Sequence, residues 1–357
     1  MTRARIAGVL GALAVATLIA LALSATFGQF PISLSRVLSD PSSQDANIFW
    51  ELRVPRALLA VIVGLALGTS GCVLQGLLRN PLADPFVLGV SGGAALGATL
   101  ALAVGLASVG ALVGGSVGEA IGKVSAPSLF AFLGSLGATA LVFAAGKVGG
   151  RTTPYAALLS GVIFNAFASA AITCIKTLSA PERVGEILYW LAGTLTYERY
   201  PTLGIAAVLQ AVAVGTMWAY AGRLNLLTLG DDDAASLGVP VERTRMILLL
   251  AASLSVAGAV ALSGLVGFVG LIVPHVLRLW LGPDQRLLLP ASAIGGAGFL
   301  ALSDLLARVA LPVATRVLHP WTPLIQKELP VGVITALLGG PFFLVLLHRR
   351  MTRDVPL

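Results

Sequence analysis

Residues 54–105 read VPRALLAVIVGLALGTSGCVLQGLLRNPLADPFVLGVSGGAALGATLALAVG. Two apolar runs, about 55–79 and 86–105, flank the polar break Arg79-Asn80-Pro81-Leu82-Ala83-Asp84-Pro85. A helix needs about 20 predominantly apolar residues to cross a bilayer core. The two prolines bracket a tight turn. Gly64/Gly68, Gly89/Gly93 and Gly93/Gly97 recur at GxxxG spacing, which lets membrane helices approach backbone to backbone. The stretch predicts two membrane helices joined by a short cytoplasmic turn in a closely packed bundle.

Outward from it, apolar runs give ten candidate spans in one membrane domain covering 1–357. They lie at about 6–27, 55–79, 86–105, 127–147, 154–178, 201–220, 244–263, 266–281, 288–310 and 329–348. The eighth follows the seventh across Gly264, so their boundary is the least regular. The composition agrees: 57% apolar, 11% charged, mean hydropathy +0.93. Soluble domains carry about 25% charged residues, so a soluble enzyme and a disordered chain are both excluded. The net charge of +7 reflects basic residues between apolar runs, a positive-inside pattern rather than a nucleic-acid surface. The first run is longer than the 7–15 apolar residues of a signal peptide and reads as a retained anchor. Ten spans put both termini in the cytoplasm, with His348-Arg349-Arg350 as a cytoplasmic stop. Cys72 and Cys174 sit in separate apolar runs and read as small packing residues.

Three segments carry chemistry. Asp231-Asp232-Asp233-Ala234-Ala235-Ser236-Leu237-Gly238-Val239-Pro240 lies in the cytoplasmic loop 221–243. An acidic triplet can hold Mg²⁺ and diphosphate, but no second acidic cluster closes such a site. A short docking helix, with its carboxylates at the N-terminus and its stop at Gly238, is the stronger reading. Ser263 to Arg278 has glycines at spacing three and then Pro274-His275, which describes a broken membrane segment with a satisfied interfacial histidine. Gly118-Glu119-Ala120-Ile121-Gly122-Lys123-Val124 falls one residue short of a phosphate loop and lacks its Ser or Thr, so no nucleotide site is present and no metal or cofactor is expected. A secondary transporter would place ionisable groups at the bilayer midplane. Here Lys176, Asp304 and Arg308 read as near span ends. An intramembrane enzyme is disfavoured because no paired His, Asp or Ser–Lys constellation lies at one depth.

The motifs as a set resemble a family. Arg53-Val54-Pro55-Arg56, the turn Asn80 to Pro85 followed by Leu88-Gly89-Val90, and Leu229-Gly230-Asp231-Asp232 occur in family order. Gly267-Phe268-Val269-Gly270-Leu271 with Pro274-His275, and Glu328-Leu329-Pro330-Val331-Gly332-Val333, complete the series. The sequence resembles FecCD-type, or type II, permease subunits of bacterial ABC importers for iron-siderophores, haem and cobalamin, from about residue 50 to 348. The segments 106–126 and 311–327 depart from the usual pattern. The resemblance implies an all-α permease of about ten transmembrane helices in the inner membrane. It also implies a homodimer with a pathway on its twofold axis, two cytoplasmic ATPase subunits that use ATP and Mg²⁺, and a periplasmic or lipid-anchored binding protein. It further implies that Asn80, Leu82 and Thr152 form the cytoplasmic gate. Asp231, Asp232, Asp233, Ala235, Leu237 and Gly238 would belong to the element that couples to the ATPase. Arg53, Arg56 and Arg308 would dock carboxylates of the binding protein. Which chelate is carried stays open among siderophore, haem and cobalamin.

Overall fold

The computed structural model describes residues 3–28, 31–110, 125–148, 151–152, 154–318 and 328–353. It is almost entirely helical. The helices are α1 (Arg3–Thr26), α2 (Leu34–Ser39), α3 (Gln44–Asn47), α4 (Val54–Leu77), α5 (Val90–Ala103), α6 (Ala126–Ala145), α7 (Pro154–Leu178) and α8 (Pro181–Leu191). They continue as α9 (Tyr200–Ala219), α10 (Ala221–Leu229), α11 (Asp231–Ser236), α12 (Val241–Ser263), α13 (Val269–Leu281), α14 (Gln285–Leu318) and α15 (Val331–Arg353). The strands β1 (Lys147–Val148) and β2 (Arg151–Thr152) form a minimal antiparallel hairpin before α7. Seven helical segments are long and apolar enough to cross a membrane, and α5, α13 and α15 are shorter apolar helices. The phosphate-loop-like Gly118 to Val124 lies outside the described residues, as does 319–327.

The bundle is organised on α4, whose segment is 83% buried. It packs along α14, and the glycines explain how closely. A Cβ on Gly64 would lie 2.3 Å from the Gly296 carbonyl oxygen, and one on Gly68 would lie 2.3 Å from that of Ser292. The same device joins α5 to α6, where Gly93 meets the Gly134 oxygen and Gly97 that of Phe130. Lipid supplies no hydrophobic drive between helices, so this backbone proximity carries the association. Around the seam, Leu59, Leu67 and Leu74 of α4 meet Leu248 of α12 and Leu288, Leu289 and Leu300 of α14 in one core.

The break between α12 and α13 is real. Gly264 has φ +64°, and Phe268 takes the left-handed conformation at φ +69° before α13 begins. The end of α12 is closed by Thr194 N–H donating to the Ser263 carbonyl at 2.8 Å. None of residues 264–268 is exposed, as irregular backbone at membrane depth requires. The Phe268 ring occupies the notch left by Gly339 in α15, where a Cβ would come within 2.2 Å of it.

Four expectations change. α14 runs to Leu318, past the expected end near 310, although Asp304 and Arg308 still lie at the end of the bundle, beside the last turn of α1. α8 follows α7 as an amphipathic helix that the hydropathy runs do not mark; Ile187 is buried and Leu188 and Tyr189 are half exposed. Cys72 is buried, but Cys174 is exposed on α7. His275 is not satisfied: its Nδ1 is buried without a hydrogen-bond partner among the described residues, and its ring meets Phe342 edge-on at 6.0 Å.

Gly64→Ala forces a methyl into the α14 backbone and is expected to cost about 1–3 kcal/mol. Gly215 of α9 has nothing within 4 Å of an added Cβ, so Gly215→Ala is expected to be neutral or slightly stabilising through helix propensity. Thermal unfolding of both variants in one detergent checks the pair; equal effects would show that the seam is not set by backbone contact.

Candidate functional site

At the C-terminal end of α4, Arg79 adopts a left-handed conformation (φ +49°) and turns the chain sharply. The Asn80 N–H donates to the Gln75 carbonyl at 3.1 Å, and its Oδ1 accepts from the Leu82 N–H at 3.0 Å. Asn80 therefore shapes the turn as an Asx motif, the role its side chain favours by itself. Asp84 then accepts from the Phe86 N–H at 2.8 Å, opening a 3₁₀ turn (Pro85–Leu88), and Gly89 at φ +81° starts α5. Asn80 is exposed and Leu82 half-buried at this surface. Thr152 stands in β2 opposite Lys147; its side chain lies outside the described residues.

The loop 221–243 holds two helices, α10 and α11, where the sequence reading has one. α11 begins at Gly230, and no side chain caps it. Asp231 turns away instead. Its carboxylate takes Arg79 Nη2 at 2.5 Å on one oxygen and Arg245 Nη2 at 2.7 Å on the other. Arg79 Nε also donates to the Leu227 carbonyl at 3.0 Å, and Arg245 Nη1 pairs with Glu242 at 3.1 Å. One carboxylate thus joins the turn after α4, the α10–α11 pair and the start of α12. Burial pulls the Asp231 carboxyl upward, but the hydrogen bond and charge of Arg245, and then those of Arg79, outweigh it, so the group titrates below its ordinary value. Ala234 is buried against the bundle, while Asp232, Asp233, Ala235 and Leu237 are exposed. Gly238 (φ +82°) ends the helix as its position predicts.

At the opposite end, five charged side chains meet. Arg56 holds Asp304 through Nε at 3.0 Å and Nη2 at 2.8 Å, and Glu328 through Nη1 at 2.6 Å. Arg308 reaches the other Asp304 oxygen at 3.1 Å. Its Nη1 donates to the Phe27 carbonyl at 2.9 Å, and its Nη2 to the Ser24 carbonyl at 2.8 Å. Arg53, delivered by a π-helical segment (Ile48–Arg53), donates to the carbonyls of Thr26 and Ala25. Arg53 and Arg308 thereby satisfy the C-terminal carbonyls of α1 and complement its dipole. The three arginines lie together at one end of the bundle, with their own chain's groups around them. Arg53 and Arg308 are buried, and Asp304 is fully so. The three arginines and Glu328 line a cavity of about 220 Å³ together with Tyr197 and Leu52, while Asp304 is buried behind Arg56.

Sequence reading missed the partners rather than the arginines. Asp304 and Arg308 stand at i,i+4 spacing on one helix face, a usable signal. The Arg56–Asp304 and Arg79–Asp231 contacts span 248 and 152 residues, which no local pattern shows. Among the described residues no group of three or more His, Cys, Asp or Glu side chains could hold a metal ion.

Residues 16–349 match the FecCD transport family. The chain is 38% identical over 338 residues to the hemin transport system permease protein HmuU of Yersinia pestis, covering 93% of each. It is 41% identical over 309 residues to the cobalamin import system permease protein BtuC of Halobacterium salinarum, covering 85% of this chain and 73% of that one. It is 37% identical over 330 residues to the Fe(3+) dicitrate transport system permease protein FecD of Escherichia coli, covering 92% and 94%. A solved inward-facing ABC transporter assigned to the metal-chelate type superposes with a TM-score of 0.78 at 30% identity, covering 96% and 99%. A nearly all-helical bundle with seven candidate spans and a motif series matched from end to end leaves one assignment: the chain belongs to the FecCD transport family, as a membrane permease subunit of an ABC importer.

Proposed function

We propose that this permease imports an iron chelate, haem or cobalamin across the inner membrane as a homodimer. Two cytoplasmic ATPase subunits drive it, a binding protein delivers the cargo, and both of its termini face the cytoplasm. The observation that carries the reading is the double ion pair of Asp231. An ATPase that closes on ATP must push on a rigid element and have that push reach a gate. α11 offers Ala235 and Leu237 outward, with Asp232 and Asp233 beside them, and Asp231 ties it to Arg79, next to Asn80 and Leu82. Displacement of α11 therefore pulls on the turn after α4. Asn80, Leu82 and Thr152 act as the gate where two copies meet.

The outer cluster serves the binding protein. Its cations outnumber its carboxylates, and Arg56 and Glu328 keep part of their surface in solvent. An incoming carboxylate competes with Glu328 for Arg56, while Asp304 keeps the guanidinium oriented.

Leu237→Arg places a charge where the ATPase would dock. ATPase co-purification and ATP-driven uptake are expected to fall together while insertion stays intact; an unchanged ATPase response to the binding protein would sink the docking assignment.

Asp231→Asn is expected to leave the ATPase bound but lower uptake about tenfold, and combining it with Arg79→Ala should add little further loss because the two share one contact. The folded pKa of Asp231 is depressed, so its contribution is present above the ordinary carboxyl value of 3.8 and is lost as pH falls through the lower, folded value. Amide exchange in residues 79–82 of the solubilised permease should therefore stay slow from neutral pH down to that range and accelerate below it. Additive losses, or exchange that accelerates well above 3.8, would break the link.

Single cysteines at 80, 82 or 152, with Cys72 and Cys174 replaced by Ser, are expected to cross-link to the same position in the second copy and to stop uptake. Absence of any cross-link in every nucleotide state would place the gate elsewhere.

A further inference from the structure

The described chain contains an open cavity of about 360 Å³, polar on part of its wall, between α5, α7 and the ends of α8 and α12. Its α7 wall is built from Asn165, Ser169, Thr173 and Lys176, with Ser91 and Gly92 of α5 opposite. Those α7 positions recur at helical spacing and share one face. The other cavity on α7, near Phe164 and Phe167, lies against α6 and is apolar. α7 thus presents one polar and one apolar side, in a helix otherwise long and apolar enough to span.

Most of the polar groups on that wall are already committed. Asn165 Oδ1 accepts from the Gly92 N–H at 3.2 Å and its Nδ2 donates to the Phe86 carbonyl at 3.1 Å. The Thr173 hydroxyl donates to the Ser169 carbonyl at 2.9 Å, and that of Ser91 to the Phe86 carbonyl at 3.2 Å. The Lys176 ammonium has no hydrogen bond or ion pair among the described residues. By contrast Arg56, Arg245 and Arg308 each meet a carboxylate. The nearby Glu186 of α8 is held by Arg183 at 3.1 Å. A lysine near a helix end ordinarily snorkels to the surface. Lys176 is half-buried and lines the cavity with Leu191 and Leu265. An ionisable side chain on a spanning helix that faces a cavity is a candidate functional group.

We infer that Lys176 is a specificity-determining residue that selects chelates carrying a free anionic group, such as a carboxylate or a catecholate, over uncharged ones. At ~30 Å³ per water, the cavity holds roughly a dozen water-sized groups. That admits a charged arm of a cargo with its hydration, while the body of the chelate stays in the wider pathway. The inference rests on the proposed reading of this chain as a chelate importer.

The test reconstitutes the complete assembly, with its ATPase and binding protein, in proteoliposomes. It compares uptake of hemin and ferric dicitrate, which carry carboxylates not bound to iron, with cyanocobalamin and ferrichrome, which are uncharged. The anionic probes are expected to accumulate. Lys176→Gln should lower that uptake about tenfold, the scale of one lost hydrogen bond to a charged group, and Lys176→Arg should restore most of it. The wild-type KM should rise with ionic strength and that of Lys176→Gln should not. Assembly and ATPase stimulation by the binding protein should survive in both variants, which separates lost recognition from lost folding. Uptake at the wild-type rate by Lys176→Gln, or an uncharged chelate as the sole cargo, overturns the inference and leaves the importer reading standing. ATP-independent behaviour toward all four probes overturns both.

Discussion

The seam between α4 and α14 is the contact on which the rest of the molecule depends. At its centre, Gly64 and Gly296 face each other with no side chain between them, so the two backbones touch. A methyl on either would meet a carbonyl oxygen, which cannot move without unwinding its own helix. Toward one end the same pair of helices brings Arg56 to Asp304. Toward the other it brings the Cys72 thiol to the Gln285 amide oxygen at 3.1 Å. The register of one helix pair therefore places the charge cluster at one end of the bundle and the turn after α4 at the other.

Charge is handled in the same economical way. Losing one partner of a buried ion pair costs about 3–5 kcal/mol, and a backbone carbonyl left bare in hydrocarbon is comparably unfavourable. Arg308 meets both demands, since one guanidinium neutralises Asp304 and closes the end of α1. This ties α1 into the bundle, along with Thr17, whose hydroxyl donates to the Ile294 carbonyl at 3.0 Å. A cluster that reads as free docking cations is thus first a structural joint. Its remaining exposure at Arg56 and Glu328 is what a partner can use.

Asp231 has an analogous double duty at the other end of the bundle. It sits at the N-terminus of a six-residue helix, where its charge suits the dipole, yet its oxygens serve Arg79 and Arg245. A helix that short holds its place through tertiary contacts rather than propensity. Those contacts run to the turn that shapes Asn80 and Leu82, so α11 and the turn after α4 are not mechanically independent.

By itself the sequence determined the membrane class, the apolar runs, the tight turn after residue 79, the break at Gly264 and the stop at Gly238. Each is written in local composition or in glycine and proline chemistry, which act within a few residues. It also marked Arg53, Arg56, Arg308 and Asp231 as residues of interest. Only the tertiary structure decided what those groups touch. Arg56 finds Asp304 and Glu328 across 248 and 272 residues, and Asp231 finds Arg79 across 152. α8, the second helix within 221–243 and the orphaned Nδ1 of His275 were equally illegible. Amphipathic surface helices escape a hydropathy reading because half their residues are polar. Pairing in a bundle escapes it because helix order in space is set by backbone approach and charge compensation between segments, and neither leaves a trace in the spacing of any one of them.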